Sequence, residues 1–264
     1  MGDHGRIFSL TGRRALVTGG SVSIGRAIAL AFAEAGADVA IQYYAGADKA
    51  FGLSDAAAAT CRDIEALGRA CTAVEADFAH PGAAGEAAVK AGKALGGIDI
   101  LVIAASIQKR QAFGDIGRED MLSQSQVNLF STFELLQSVL PRMVENGWGR
   151  VLSIGSVNET RPEGELSVYA ALKAAQANLI ANLARQHAGT GVTLNTLAPG
   201  LVATERNRWR REDADDWARI QSRANPMGRA GTIDDMVGAA LLLCSPASDF
   251  ITGANLQATG GGHL

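Results

Sequence analysis

The chain of 264 residues has few aromatic side chains, little excess charge of either sign and no long apolar run. With a formal net charge of −3, it lacks the basic field that attracts nucleic acid or a membrane surface. No stretch reaches the roughly 18 apolar residues that a bilayer crossing needs. Residues 1–13 also lack the apolar core of a secretory signal. These absences predict a soluble protein that acts on a small molecule.

Cysteine and histidine are equally sparse. The three cysteines, Cys61, Cys71 and Cys244, are widely spaced and odd in number, which predicts neither a disulfide framework nor a zinc site. A reducing cytoplasm is therefore the expected location. No two histidines have helical ligand spacing, so no metal site is predicted; the four are His4, His80, His187 and His263.

Short apolar runs alternate with longer segments of helical period. The predicted strands are Arg14–Thr18, Asp38–Tyr43, Cys71–Glu75, Ile98–Ile103, Arg150–Ile154, Val192–Leu197 and Asn255–Ala258. The predicted helices are Ile24–Ala35, Ser54–Leu67, Ala83–Leu95, Glu119–Glu145, Val168–His187 and Thr232–Cys244. Such alternation indicates parallel pairing with right-handed crossovers. We predict an α/β, Rossmann-like, doubly wound parallel sheet of about seven strands with helices on both faces, forming one domain over residues 1–264.

Two stretches interrupt this alternation of strands and helices. Residues 45–55 lengthen the connection after the second strand. Residues 203–225 form a polar interval that follows a strand end, where ligands of open α/β sheets bind, so this interval is expected to be a lid. For the arginines between Arg206 and Arg211 a solvated helix face is favoured; the alternative is an anion site on the lid.

A glycine-rich turn, Thr18–Gly25, follows the first strand and opens a helix. Glycines there let the backbone approach a pyrophosphate, which the free N–H groups and the helix dipole favour. The acidic residue that usually binds the ribose is missing, because Tyr43 stands 18 positions after Gly25. NAD or NADP is therefore the predicted cofactor, with a lean to NADP. Lys49 is more simply explained as a solvated lysine than as a phosphate ligand.

A phenol and an ammonium, Tyr169 and Lys173, stand four residues apart on one predicted helix face. A nearby cation favours a phenolate, which suits a tyrosine to act as a general acid–base. Thirteen residues before Tyr169, Ser156 follows the fifth strand and brings a hydroxyl to the carboxyl edge of the sheet.

With these motifs, nearly the whole chain resembles the short-chain dehydrogenase/reductase family, classical type. Thr18–Gly25 is similar to the family's glycine motif, and Ser156, Tyr169 and Lys173 have its catalytic spacing. Asn128 in Val127-Asn128-Leu129 resembles the family's catalytic asparagine. The resemblance implies that the cofactor contacts are Gly19, Ser21, Ser23, Ile24, Gly25, Tyr43, Asp77, Phe78, Ala104, Ala105, Tyr169, Lys173, Pro199, Gly200, Val202 and Thr204.

The family also implies a role for each catalytic residue. Tyr169 passes a proton to or from the substrate oxygen, and Ser156 donates a hydrogen bond to that oxygen. Lys173 promotes the phenolate and binds the nicotinamide ribose. Asn128 helps to hold a water that relays protons to Lys173.

Two departures from the family pattern concern the cofactor. Ser23 replaces the middle glycine of the turn, so its side chain must turn aside or bond a phosphate. Ile103-Ala104-Ala105-Ser106 replaces Asn-Asn-Ala-Gly, which removes amide bonds that normally brace the sheet. Neither change removes a proton-transferring group.

The leading hypothesis is an NAD(P)-dependent oxidoreductase acting on a carbonyl or secondary alcohol. The polar loop 158–165 favours a sugar-like or polyol substrate over an apolar one. A 3-oxoacyl thioester (acyl-carrier-protein) reductase is the alternative within this class, and a catalytically silent nucleotide-binding sensor is the alternative outside it. A sugar-nucleotide epimerase would need more than the about 90 residues that follow Lys173. The resemblance implies a homotetramer, and neither nucleic acid nor membrane is an expected partner.

Overall fold

Residues 5–264 are described by a computed structural model; His4 lies outside this range. The strands are β1 (Arg14–Thr18), β2 (Asp38–Tyr43), β3 (Cys71–Glu75), β4 (Ile100–Ile103), β5 (Gly149–Ile154), β6 (Val192–Pro199) and β7 (Asn255–Ala258). Over these residues they form one parallel sheet of seven strands, in the order β3-β2-β1-β4-β5-β6-β7. The order reverses between β1 and β4, which opens a crevice at the carboxyl ends. The predicted fold class is confirmed.

The helices cover both faces of the sheet. They are α1 (Ser23–Glu34), α2 (Ala45–Ala50), α3 (Ala56–Ala66), α4 (Ala83–Leu95), α5 (Arg118–Ser125), α6 (Ser131–Glu145), α7 (Ser167–His187), α8 (Ala214–Ala224) and α9 (Val237–Cys244). One apolar core lies between the sheet and α1, α3 and α9, and a second lies between the sheet and α4, α6 and α7. Because both faces are covered, β4, β5 and β6 are buried along their whole length, which explains the continuous apolar sequence of β4.

The predicted helix Glu119–Glu145 is interrupted. A π-helical turn, Gln126–Phe130, separates α5 from α6 and includes Asn128. π-Turns are rare in proteins, but those that occur are often found at functional sites. Two helices were not predicted: α2 lies in the stretch that was expected only to lengthen the connection after β2, and α8 lies within the polar lid.

The cysteine prediction was wrong. Cys61 of α3 and Cys71 of β3 form a disulfide, with their Cα atoms 5.2 Å apart, while Cys244 is a buried free thiol. The helix packs against the strand and brings together two residues that are ten positions apart in the chain. Sequence spacing alone does not reveal that contact.

Candidate active site

The glycine-rich turn leaves no room for side chains where it meets the sheet. Gly19 has a φ of +62°, and a methyl group on it would come within 3.1 Å of the backbone of Ala105. A methyl group on Gly25 would collide with the carbonyl oxygen of Gly19. Helix α1 begins after Val22 without a side-chain cap, so no side chain occupies its first N–H groups. Compact glycines beside an uncapped helix start fit a pyrophosphate.

The sequence left open whether the Ser23 side chain turns aside or binds a phosphate. The residue has a positive φ of 51°, the only such value at a non-glycine position in residues 5–264. Its Oγ accepts a hydrogen bond from the backbone N–H of Glu205 at 3.3 Å. The side chain therefore turns aside from the phosphate loop and contacts the lid.

A buried carboxylate lies behind the phosphate loop. Asp48 of α2 is 5% exposed, and the Ser21 hydroxyl lies 3.0 Å from its Oδ1. Burial raises the pKa of Asp48, and the hydrogen bond with Ser21 opposes that rise. The pKa of Tyr43 is also raised, by burial and by the charges of Glu75 and Asp48. The sequence indicated no acid at the end of β2, yet the fold brings Asp48 to its vicinity.

Thr18 braces the segment in which the family's asparagines are missing. Its Oγ1 accepts hydrogen bonds from the N–H groups of Ala104 and Ala105, at 2.9 Å and 3.1 Å. The same hydroxyl donates to the carbonyl of Val102 at 3.3 Å. Thr18 is fully buried, so these contacts are shielded from water. The threonine therefore holds the backbone between β1 and β4 without the expected amides.

Most of the other predicted cofactor residues lie at the same edge of the sheet. The Asp77 carboxylate accepts a hydrogen bond from the N–H of Ala79, and Phe78 is buried in the core. The remaining positions are Ile24 in the first turn of α1, Pro199 and Gly200 at the end of β6, Val202 before the lid, and Thr204 at the start of the lid.

Ser156 lies two residues after the end of β5, and its hydroxyl accepts two hydrogen bonds from a single residue, Asn158. The backbone N–H and the side-chain amide of Asn158 both donate to Ser156 Oγ, each at 3.2 Å. The Asn158 Oδ1 accepts from the N–H of Glu163 at 2.7 Å. The Glu159 carboxylate accepts from the N–H of Ser156 at 2.8 Å, and burial raises the pKa of Glu159. The serine is thus fixed by the turn that follows it.

Tyr169 and Lys173 lie on one face of α7 and are both buried. The Lys173 Nζ lies 5.9 Å from the centroid of the Tyr169 ring. It donates to the carbonyl of Ile154 at 2.7 Å, two residues before Ser156. Helix α7 also packs against the turn Val157–Glu159. The structure therefore brings the predicted serine, tyrosine and lysine to one place.

Burial is the main influence on Lys173. Burial and, to a lesser extent, the charge of Arg206 lower the lysine pKa, the carboxylate of Glu159 opposes them, and together they bring the pKa to about 7. Desolvation disfavours an ammonium, and a nearby cation does the same. The site thus holds an amine whose charge changes near neutral pH.

Gln176 provides a contact that the sequence analysis missed. Its Oε1 accepts from Lys173 Nζ at 2.9 Å, while its Nε2 donates to the Thr132 hydroxyl at 2.7 Å. The Thr132 hydroxyl donates to the carbonyl of Asn128 at 3.3 Å. This buried chain connects the lysine to the π-turn. Gln176 stands three residues after Lys173 on the same helix, a spacing that offered a signal.

The Asn128 side chain is held by the backbone of a single residue. Its Nδ2 donates to the carbonyl of Ile107 at 2.8 Å, and its Oδ1 accepts from the N–H of Ile107 at 3.0 Å. Asn128 is 1% exposed. It therefore fixes the segment after β4, and its predicted part in a proton relay stays a prediction.

The lid begins with a short 3₁₀ segment, Glu205–Arg211. Arg206 donates from Nη2 to both the carbonyl and the hydroxyl of Ser106, at 2.7 Å and 2.8 Å. Farther along, Arg210 lies 3.9 Å from the Glu163 carboxylate. The lid thus touches the segment after β4 and the loop after β5, which places it across the crevice.

Among residues 5–264, no helix has both the length and the apolar character that a bilayer crossing requires. The same residues contain no group of three or more histidine, cysteine or acidic side chains arranged to hold a metal ion.

Comparison with known proteins agrees with this geometry. A family model described as enoyl-(acyl carrier protein) reductase matches residues 19–263. An L-rhamnose 1-dehydrogenase (NAD(P)(+)) of Sphingomonas is 32% identical, over 97% of this chain and 98% of its own length. A gluconate 5-dehydrogenase of Gluconobacter oxydans is 32% identical, over 98% of this chain and 97% of its own length.

A solved structure is more similar still. It is a 3-oxoacyl (acyl-carrier-protein) reductase from Agrobacterium tumefaciens with NADP bound, which is 44% identical with a TM-score of 0.91. The match covers 98% of this chain and 97% of that chain. The chain belongs to the short-chain dehydrogenase/reductase family.

Proposed function

We propose that the protein is an NAD(P)-dependent oxidoreductase that interconverts a secondary alcohol and a carbonyl on a polar, sugar-like substrate. The observation that supports it best is the buried cluster at the end of β5. There Lys173 lies between the Tyr169 ring and the strand end that precedes Ser156.

Each residue of the cluster has one task at the substrate oxygen. Tyr169 gives a proton to this oxygen in reduction and takes it back in oxidation. Ser156 donates a hydrogen bond that stabilises the charge developing there. Lys173, when charged, favours the phenolate form of Tyr169. Asn128 acts as a positioning residue through its two bonds to the backbone of Ile107.

Three parts of the chain are proposed to hold the dinucleotide. The turn Gly19–Gly25 and the uncapped start of α1 receive the pyrophosphate. Tyr43 and Asp77 flank the adenosine, and Tyr169, Lys173 and residues 199–204 flank the nicotinamide half. When bound, the nicotinamide supplies or accepts the hydride. The L-rhamnose dehydrogenase relative is described as using NAD(P)(+), and the Agrobacterium structure contains NADP, which supports NAD or NADP here.

A polar substrate is supported by the relatives and by the loop after Ser156. Two relatives are named as acting on rhamnose and gluconate. The same loop in this chain contains Asn158, Glu163 and Glu165, with the two carboxylates paired to Arg110. A long apolar substrate would have to desolvate these groups.

A 3-oxoacyl thioester reductase is the second candidate. The specific observation that favours it is the 44% identity to a structure described as such a reductase. In that case the arginines of Glu205–Arg211 would meet an acidic carrier protein. The silent sensor is disfavoured because Ser156, Tyr169 and Lys173 are all present and buried together.

The decisive experiment compares Tyr169→Phe with the unchanged protein. Rates are followed at the nicotinamide absorbance with gluconate, rhamnose and acetoacetyl thioesters, each with NAD and NADP. We expect sugar turnover in the unchanged protein, none in the variant, and nearly unchanged cofactor binding. Preferred turnover of the thioesters would favour the second candidate. Retained activity in Tyr169→Phe would refute the acid–base assignment.

We also propose one domain over residues 1–264, with residues 203–225 as its lid, in a cytoplasmic homotetramer. Exposed apolar side chains on α5, the π-turn and α6 support assembly; they are Met121, Leu122, Phe130 and Phe133. Leu256 of β7 and the terminal Leu264 are exposed as well. Light scattering after size exclusion tests the mass, and Phe133→Glu is expected to reduce it.

A further inference from the structure

The lid and the segment after β4 bring several cations to the crevice, and these cations differ in their partners. Arg110 bonds Glu163 at 2.7 Å and Glu165 at 3.3 Å, and Arg210 lies 3.9 Å from Glu163. The charges of these two arginines are therefore already balanced by carboxylates of the same region.

Arg206 is different. Its recorded hydrogen bonds go to two neutral acceptors, the carbonyl oxygen and the hydroxyl of Ser106. Within residues 5–264 no carboxylate forms an ion pair with it. The guanidinium is directed across the crevice by contacts that leave its charge uncompensated. Only one of its terminal nitrogens is used in them, so other N–H donors remain for a ligand.

The position of Arg206 is fixed from two sides. Glu205, the preceding residue, donates its backbone N–H to Ser23 of the phosphate loop. Arg206 itself reaches Ser106, three residues after the end of β4. Both serines stand where the family pattern has glycine. The two departures from the pattern therefore both hold the start of the lid over the crevice.

Arg206 is also close enough to influence the catalytic amine. Its charge lowers the pKa of Lys173, after burial the strongest influence on that residue. The charge of Arg206, which no carboxylate balances by an ion pair within residues 5–264, makes this part of the crevice attractive to an anion. An arginine fork can bind a carboxylate through two parallel hydrogen bonds, which a neutral hydroxymethyl group does not match.

We propose that Arg206 binds the carboxylate of a sugar-acid substrate and so makes the enzyme prefer hydroxy acids over neutral sugars and polyols. This inference rests on the proposed oxidoreductase function. It assigns to the lid the choice of substrate class, while Ser156, Tyr169 and Lys173 perform the proton chemistry.

The pair of gluconate and sorbitol tests the assignment, because the two compounds differ mainly in a carboxylate against a hydroxymethyl group. Arg206→Gln removes the charge, and Arg208→Gln is the matched control. Arg208 is an exposed arginine of the same segment for which the structure records no hydrogen bond or ion pair within residues 5–264. Each protein is assayed for both compounds with NAD and with NADP.

We expect the unchanged protein to prefer gluconate. In Arg206→Gln, kcat/KM for gluconate should fall roughly 10- to 100-fold, mostly through KM, because a charge-assisted bond to the substrate is lost. For sorbitol the change should stay within about threefold, and Arg208→Gln should change neither value by more than that. Equal losses for both compounds, or the same loss in Arg208→Gln, would overturn the assignment.

Binding gives a second readout that does not depend on turnover. Trp209 is exposed in the same segment, so its fluorescence can follow the titration of gluconate and sorbitol. Gluconate should bind the unchanged protein and Arg208→Gln, and should bind Arg206→Gln more weakly by the same factor. Preferred binding and turnover of sorbitol would overturn the Arg206 assignment alone. Turnover of neither compound, nor of rhamnose, would overturn the proposed function together with it.

Discussion

Asn158 donates two hydrogen bonds to Ser156 Oγ, one from its backbone N–H and one from its side-chain amide, each at 3.2 Å. A hydroxyl oxygen has two lone pairs and one proton. Because Asn158 occupies both lone pairs, the Ser156 proton must point elsewhere. The hydroxyl is thereby prepared to donate to a substrate oxygen rather than to accept from it.

Asn158→Ala should therefore lower kcat about 5- to 10-fold with little change in KM, since one neutral hydrogen bond that orients a donor is lost. Steady-state kinetics in both reaction directions measure the effect. Thr160→Ala, in the same turn, is the control and should retain full activity. A change confined to KM would mean instead that Asn158 contacts the substrate.

The lowered pKa of Lys173 leads us to expect that cofactor binding depends on pH. Its pKa is lowered to about 7 in the free protein, so at pH 8 most of the amine is neutral. If ribose hydroxyls accept from the ammonium, binding raises this pKa and takes up a proton. The affinity for NAD or NADP should then weaken as pH rises above 7.

Calorimetry at pH 8 in two buffers of different ionisation enthalpy measures the uptake directly. Lys173→Met should bind without it. The free protein should also gain stability as pH rises from about 7 towards the ordinary lysine pKa of 10.5, because there the unfolded chain binds the proton and the folded chain does not. Equal proton uptake in both proteins would contradict the assignment.

Thr18→Val should destabilise the fold although the two side chains have nearly the same shape. Two N–H groups, of Ala104 and Ala105, would lose their acceptor beside a fully buried residue. The expected loss in the free energy of unfolding is about 2–4 kcal/mol. Urea denaturation provides the measurement. Thr18→Ser keeps the oxygen and should lose less; a larger loss in Thr18→Ser than in Thr18→Val would show that the methyl group, not the hydroxyl, matters.

Ser23→Gly sets two effects against each other. A non-glycine residue at a φ of +51° costs about 1–2 kcal/mol. The hydrogen bond from Glu205, at 3.3 Å and partly exposed, contributes about 0.5 kcal/mol. The conformational term is larger, so the variant should have a higher thermal midpoint while its lid is cleaved faster in limited proteolysis. A lower midpoint would show that the hydrogen bond contributes more than the backbone conformation costs. Unchanged proteolysis would show that this hydrogen bond does not hold the lid.

The sequence predicted those parts of the fold that follow a local period. Strands β1, β2, β3 and β7 begin and end where the pattern indicated, because each alternates with a clear helix. Helix α8 was missed because it is a mainly polar segment with no buried residue, so it was taken as part of the polar lid. The π-turn within Glu119–Glu145 was also missed, because helical sequence lies on both sides of it and the turn itself is only five residues long.

In the site, the motif residues could be predicted from the sequence, but the hydrogen bonds that hold the surrounding segments in place could not. Ser156, Tyr169 and Lys173 have a fixed spacing that the chain displays directly. The contacts of Thr18 with Ala104 and of Arg206 with Ser106 join residues that are far apart in sequence. Such contacts depend on which loops the sheet order brings together, and no local pattern contains that information.

The disulfide between Cys61 and Cys71 has a consequence for the border of the sheet. Strand β3 has a single neighbour, β2, and edge strands of this kind open more easily than central ones. Its first residue is covalently tied to α3, where the adjacent Thr60 donates to the carbonyl of Ser21 at 3.2 Å. The oxidised pair of sulfur atoms therefore restrains the opening of β3 away from α3, and reduction of the pair would loosen the contact that α3 makes with Ser21 of the phosphate loop.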